Sequence, residues 1–138
     1  MAEQDLADRL SFFLWSASPD AELLKAAEQK RLATPAGLAA QVKRMIADPR
    51  SETLATRFAT QWFRLNDVDG MLPDAILYPY FDRTLGDAMK RETQMLFDSI
   101  VREDRSVLDL LTADHTFVNE RLARHYGIRN IVGRSSSA

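Results

Sequence analysis

The sequence predicts an all-α fold, a compact bundle of about six helices with a long packed loop between the fourth and fifth. Three observations predict it. Apolar residues recur at helical spacing through most of the chain. Ser18-Pro19, Thr34-Pro35 and Asp48-Pro49 each read as a cap followed by the first helical residue. No stretch alternates apolar and polar residues as a half-buried strand would, so no strand is expected.

The first helix spans about 3–16, with Leu6, Leu10, Phe13 and Leu14 at i, i+4, i+7, i+8. The second starts from Ser18 as N-cap, with Asp20 and Glu22 facing the positive end of the helix dipole. The third starts from Thr34 and carries the stripe Leu38, Val42, Met45, Ile46; the fourth starts from Asp48 and carries Leu54, Phe58, Trp62 and Leu65. Closely spaced starts of this kind predict short, tightly connected antiparallel helices. Residues 66–80, "NDVDGMLPDAILYPY", form the long connection, punctuated by Gly70, Pro73 and Pro79. Its apolar content predicts that it packs over the bundle. The fifth helix runs from about 81 to 102, Ser106 caps a short turn "VLDLL", and the last helix covers about 117–126 with Gly127 as a left-handed C-cap. Phe13, Leu14, Phe58, Trp62, Leu85, Leu96 and Leu108 are the expected core, with Trp15, Phe12, Phe63 and Phe97 also inward by spacing. The ending "GRSSSA" is small, polar and aperiodic, which reads as an expression linker making no core contacts. The single helical domain is therefore taken as 1–132, with 133–138 outside it.

Composition sets bounds on function. A chain of 138 residues suits one hydrophobic core, and a net charge of −2 supplies no field for nucleic acid or an anionic membrane. The absence of cysteine excludes disulfides, thiolate metal sites and haem attachment through C-x-x-C-H within this chain. The longest run of large apolar residues, 12–15, is far short of a membrane span, so no membrane insertion is expected. No signal peptide is visible in "MAEQDLADRL".

One residue conflicts with its surroundings. Along the fifth helix Phe81, Leu85, Met89, Leu96 and Ile100 fall on one stripe at about 100° per residue, and Glu92 lands in its middle. A buried carboxylate must be neutral, paired with a cation or bound to a metal. Di-iron bundles use Glu-x-x-His pairs, and none occurs here. The expected partner of Glu92 is therefore an arginine: Arg57, Arg64 or Arg121. "DVDG" at 67–70 begins like a calcium loop, but Met71, Leu72 and Tyr78 stand where that loop needs an oxygen ligand, Gly and Glu. His115 and His125, with Asp114, Glu120 and Tyr126, form the one cluster suited to a divalent metal or to general-base work. The nine-residue gap between the histidines matches no metalloenzyme motif, and His125 is accounted for by the negative end of its helix. No nucleophile elbow, phosphate loop or dinucleotide glycine pattern is present.

The runs "LADRLSFFLWSASPDAELLKAA", "VKRMIADPRSETLATRFATQWFRLNDVD" and "MKRETQMLFDSIVREDRSVLDLLTADHTFVNERLARHYGI" resemble two adjoining domains of unknown function. Those domains occur in large planctomycete and related bacterial proteins that also carry c-type cytochrome domains. The resemblance covers about 5–66 and 67–128. It implies an extracytoplasmic or periplasmic parent with haem on other domains, and no haem or other cofactor in this chain. It supplies no catalytic residues. Here His115 stands where the family pattern often has an aromatic, and the pattern continues past "HYGI". The chain is therefore expected to be a fragment, with the remaining domains of the parent as partners and with the truncated face able to pair two copies.

Two functions follow as expectations. One is a non-catalytic structural or interaction module. The other is a small hydrolase of activated esters or phosphoesters, phosphotriesters included, using His115, His125, Asp114 and Glu120 with water or a divalent metal.

Overall fold

The first helix, α1 (Glu3–Trp15), buries Ala7, Ser11, Leu14 and Trp15. This stripe has the expected spacing but lies one residue, about 100°, away from the expected face. Two hydrogen bonds hold the rotation. The Ser11 hydroxyl donates to Ala17 O at 2.8 Å, and the Trp15 indole donates to Met45 O at 2.9 Å. Trp15 is thereby 2% exposed, while Phe12 and Phe13, expected inside, are each 57% exposed. A buried indole that finds an acceptor outweighs two phenyl rings, because its polar N–H would otherwise be stranded.

The computed structural model describes residues 2–133 and 136–137. The chain folds as two units, Met1–Thr56 and Arg57–Ala138. In the first, α1 is joined by α2 (Ala21–Glu28) and α3 (Pro35–Ala47) around Leu23, Ala26, Leu32 and Met45. Asp20, not Ser18, caps α2 by accepting from Leu23 N at 2.9 Å. Thr34 caps α3 as expected, accepting from Gly37 N at 3.1 Å, and Asp48 opens a 3₁₀ turn, Pro49–Ser51, by accepting from Arg50 N.

The same carboxylates anchor a clasp. Arg44 donates to both oxygens of Asp20, at 2.7 and 3.0 Å, and Arg50 donates to Asp48 at 2.8 Å. The Arg50 guanidinium lies 3.5 Å over the Trp15 ring. Hydrogen bonds from Arg50 hold the Asp48 carboxyl at about 2, well below the usual carboxylate range. The runs "WSASPD" and "RMIADPR" are thus two halves of one structural device.

The stretch 52–62 is helical, but Leu54–Ala59 is π-helix, continuing into α4 (Thr60–Trp62). Its buried residues are Leu54, Ala55, Ala59 and Thr60, a repeat of five. A π turn closes i→i+5 bonds, so the inward face advances five residues at a time rather than 3.6. That corrects the expected core: Phe58 is exposed and Trp62 is 55% exposed. Thr60 instead faces the long fifth helix, taking a hydrogen bond from Gln94 Nε2 at 2.8 Å.

In the second unit a 3₁₀ helix, Leu65–Gly70, lies against that long helix, α5 (Arg83–Arg102). The connection after it does not pack over a bundle as expected. Met71, Leu72, Ile76, Leu77, Tyr78 and Tyr80 are all exposed. The segment is ordered by its own backbone instead: Asp74 accepts from Ile76 N through Oδ1 at 2.7 Å and from Tyr78 N through its carbonyl at 2.8 Å. Asp82 caps α5, accepting from Leu85 N at 2.8 Å. Ser106 accepts from Leu108 N ahead of α6 (Asp109–Thr112), with Leu108 exposed rather than buried. Asn119 caps α7 (Glu120–Tyr126), and Gly127 closes it at φ 73°. The unit's core is Leu85, Ala88, Val118, Leu122 and Ala123. Phe97 is buried apart from that cluster, with Phe58 and Phe63 as ring neighbours, and Leu96 is half-buried.

Helices carry the fold, as expected, with one addition. Phe117–Val118 (β1) pairs antiparallel with Ser136–Ser137 (β2), and Glu120 N donates to Gly133 O at 3.1 Å. Part of the tail expected to stand free therefore has backbone partners; Arg134, Ser135 and Ala138 lie outside the described residues.

Candidate functional site

Glu92 sits midway along α5, half-buried on the side that faces β1 and α7. Its Oε1 accepts from the Thr116 hydroxyl, and its Oε2 accepts from the Tyr126 hydroxyl at 2.8 Å. Among the described residues its partners are two hydroxyls, not an arginine. Arg64 pairs with Asp67 at 2.8 Å, and Arg121 reaches Asp82 at 3.3 Å and the Tyr80 carbonyl. The expected ion pair is corrected for a physical reason. Glu92 is only half-buried, so solvent shares its hydration and two neutral donors suffice.

Local sequence places each donor. Thr116 immediately precedes β1, and Tyr126 occupies the last residue of α7, whose start is fixed by Asn119 accepting from Leu122 N at 2.8 Å. Burial and then the bond to Glu92 push the Tyr126 phenol up to about 12, because ionising it would place two negative charges in contact. Stability linked to Tyr126 is therefore fully present below pH 10, the phenol's ordinary value, and is lost between pH 10 and about 12. Tyr126 should titrate late in an ultraviolet absorbance titration, and Tyr126→Phe should remove that late phase. A late phase that persists in Tyr126→Phe would contradict the contact.

His115 is half-buried, with its ring edge-on to Phe117 at 6.0 Å. Its Nε2 lies 3.3 Å from Arg105 Nη1 and its Nδ1 lies 3.4 Å from Asp114 Oδ1. A guanidinium can only donate, which makes Nε2 the acceptor and places the proton of the neutral ring on Nδ1, toward Asp114. Arg105 is itself tied to Asp109 at 2.9 Å. Glu120 pairs with Arg124 on the surface of α7. His125 is exposed, 5.5 Å from the Tyr126 ring, and faces an open apolar groove of about 570 Å³ lined by Val68, Met71, Leu72, Tyr78, Phe81 and Met89.

The four residues expected to act together meet only in part: Asp114 contacts His115, which adjoins Arg105, while Glu120 is taken by Arg124 and His125 faces the groove. Among the described residues no three His, Asp or Glu side chains gather closely enough to hold a metal ion. Two participants were not legible in the sequence. Thr116 and Arg105 carry no motif, and only the turn between α6 and β1 brings them to Glu92 and His115. The groove was equally hidden, because its lining comes from the connection, α5 and α7 together.

A family model described as "PSD4: Protein of unknown function (DUF1592)" matches residues 1–128. No curated protein and no solved structure matches the chain.

Proposed function

The chain belongs to the PSD4 family of proteins of unknown function, and on that premise we propose that it is a non-catalytic interaction module of a larger extracytoplasmic, haem-associated bacterial protein. One observation carries the module reading. Of the candidate acids and histidines only Asp114 and His115 meet, whereas exposed apolar side chains of 71–80, Met71, Leu72 and Tyr78 among them, line an apolar groove. Contiguous apolar surface of that kind marks a place where another surface docks. The extracytoplasmic setting and the haem-bearing neighbours rest on the sequence likeness to planctomycete-type proteins alone. On this reading the partners are the remaining domains of the parent, and the haem belongs to them, since this chain has no cysteine.

Glu92 then has a structural task, joining α5 to the segment before β1 and to α7. Glu92→Gln should lower stability by about 1–2 kcal/mol, the range for a charge-assisted hydrogen bond reduced for partial exposure. Any hydrolysis measured alongside should follow only the fraction folded.

A second reading draws on the same corner of the molecule. Glu92 receives the Thr116 hydroxyl, and the adjacent residue, His115, carries an imidazole set between Arg105 and Asp114. A carboxylate, a hydroxyl and an imidazole are the groups with which activated esters or phosphoesters are hydrolysed, with water or a divalent metal. The purified chain should be assayed on chromogenic esters and phosphoesters, with and without added divalent metal, beside Glu92→Gln, His115→Ala and His125→Ala. Turnover abolished in Glu92→Gln at unchanged melting temperature would replace the module reading with this one.

A further inference from the structure

We infer that the segment 71–80 and the groove beside it form a twofold interface between two copies of this chain. This rests on the module reading above and gives this one surface a second copy, rather than a further domain of the parent, as its occupant.

Leu72 is 97% exposed and Ile76 89% exposed, and Met71, Leu77, Tyr78 and Tyr80 are also largely in solvent. Taking roughly 150–250 Å² for a large side chain, these six present on the order of 800 Å². That is about what each partner contributes to a stable interface of standard size, and more apolar surface than a monomer ordinarily leaves in one patch.

The patch is preformed. Asp74 accepts from Ile76 N, and its carbonyl accepts from Tyr78 N, so the apolar stretch is already held in one conformation. Phe81 N then donates to Tyr78 O at 3.1 Å, closing the segment onto the start of α5. Little ordering is left to oppose association.

The patch is also self-complementary. Ile76 and Leu77 are largely exposed, and Met71, Leu72, Phe81 and Met89 line a groove of about 570 Å³ on the same unit, so each copy offers both apolar side chains and a groove to receive them. A twofold axis sets each copy's side chains on the other's groove, which satisfies both with a single contact type and closes the assembly at two. The charges nearby are largely internally balanced, with Asp69 on Lys90, Asp82 on Arg121 and Asp67 on Arg64. With a net charge of only −2, two copies meet without strong repulsion.

Sedimentation velocity across a concentration series tests this. The wild-type chain should show a monomer–dimer equilibrium. The double variant Ile76→Asp, Leu77→Asp, both exposed and so tolerated by the fold, should raise the dimer dissociation constant at least about tenfold at unchanged melting temperature. Leu72→Lys serves as a second variant should the first fail to fold. A chain monomeric at all concentrations, or a dimer indifferent to both charged variants, would overturn the twofold interface. The module reading fails separately: a dimer that also shows Glu92-dependent turnover sinks that reading, while a monomer that binds other parent domains through 71–80 sinks only the dimer.

Discussion

Trp15→Ala is expected to lower unfolding free energy by roughly 3–5 kcal/mol. The ring is 2% exposed, its N–H serves the Met45 carbonyl at 2.9 Å, and its face supports the Arg50 guanidinium at 3.5 Å. Truncation removes the packing, takes the indole donor from the Met45 carbonyl, which keeps only the Asp48 N–H, and takes away the surface on which the Arg44–Asp20 and Arg50–Asp48 pairs are organised. Trp62→Ala is the internal control. With more than half its surface in water, Trp62 should cost far less, about 1 kcal/mol, most of it from the stacked contact with Phe63 at 4.9 Å. Chemical denaturation of both variants decides the matter. Equal losses would mean that the π-helical phase of 54–59 is not the one the chain adopts.

Leu122→Ala is expected to cost about 2–5 kcal/mol. Leu122 is wholly buried at the centre of the Leu85, Ala88, Val118 and Ala123 cluster. Neighbouring alanines offer nothing to refill the space, so the cavity persists. α7 also carries Tyr126, so the variant should lower the titration midpoint of that phenol as its contact with Glu92 loosens. Leu111→Ala, on an exposed leucine, should stay within about 0.5 kcal/mol. A Leu122→Ala protein as stable as the wild type would show that α7 does not seat in this core.

The sequence by itself determined the helical character, the order of the elements and several of their ends. Thr34, Asp48, Ser106 and Gly127 act where local chemistry says they should, because a cap needs only the residue and its own backbone neighbours. It also singled out Glu92 as a carboxylate needing partners. On α5 the expected stripe held, with Leu85 and Ile100 buried, but tertiary structure decided which face α1 and the stretch 54–60 turned inward. α1 kept its spacing but rotated by one residue, since Trp15 found an acceptor in Met45, thirty residues away. In 54–60 the period itself changed to five, and no count at 3.6 per turn recovers that. The site followed the same division. His115, His125, Asp114 and Glu120 are near one another in sequence, yet only Asp114 and His115 meet, and Glu120 and His125 go to different neighbours. Glu92 drew its partners, Thr116 and Tyr126, from 24 and 34 residues along the chain. Periodicity and caps are local, so a sequence displays them. The choice among neighbouring faces is settled by small differences in packing and in unsatisfied polar groups, and those exist only once distant segments meet.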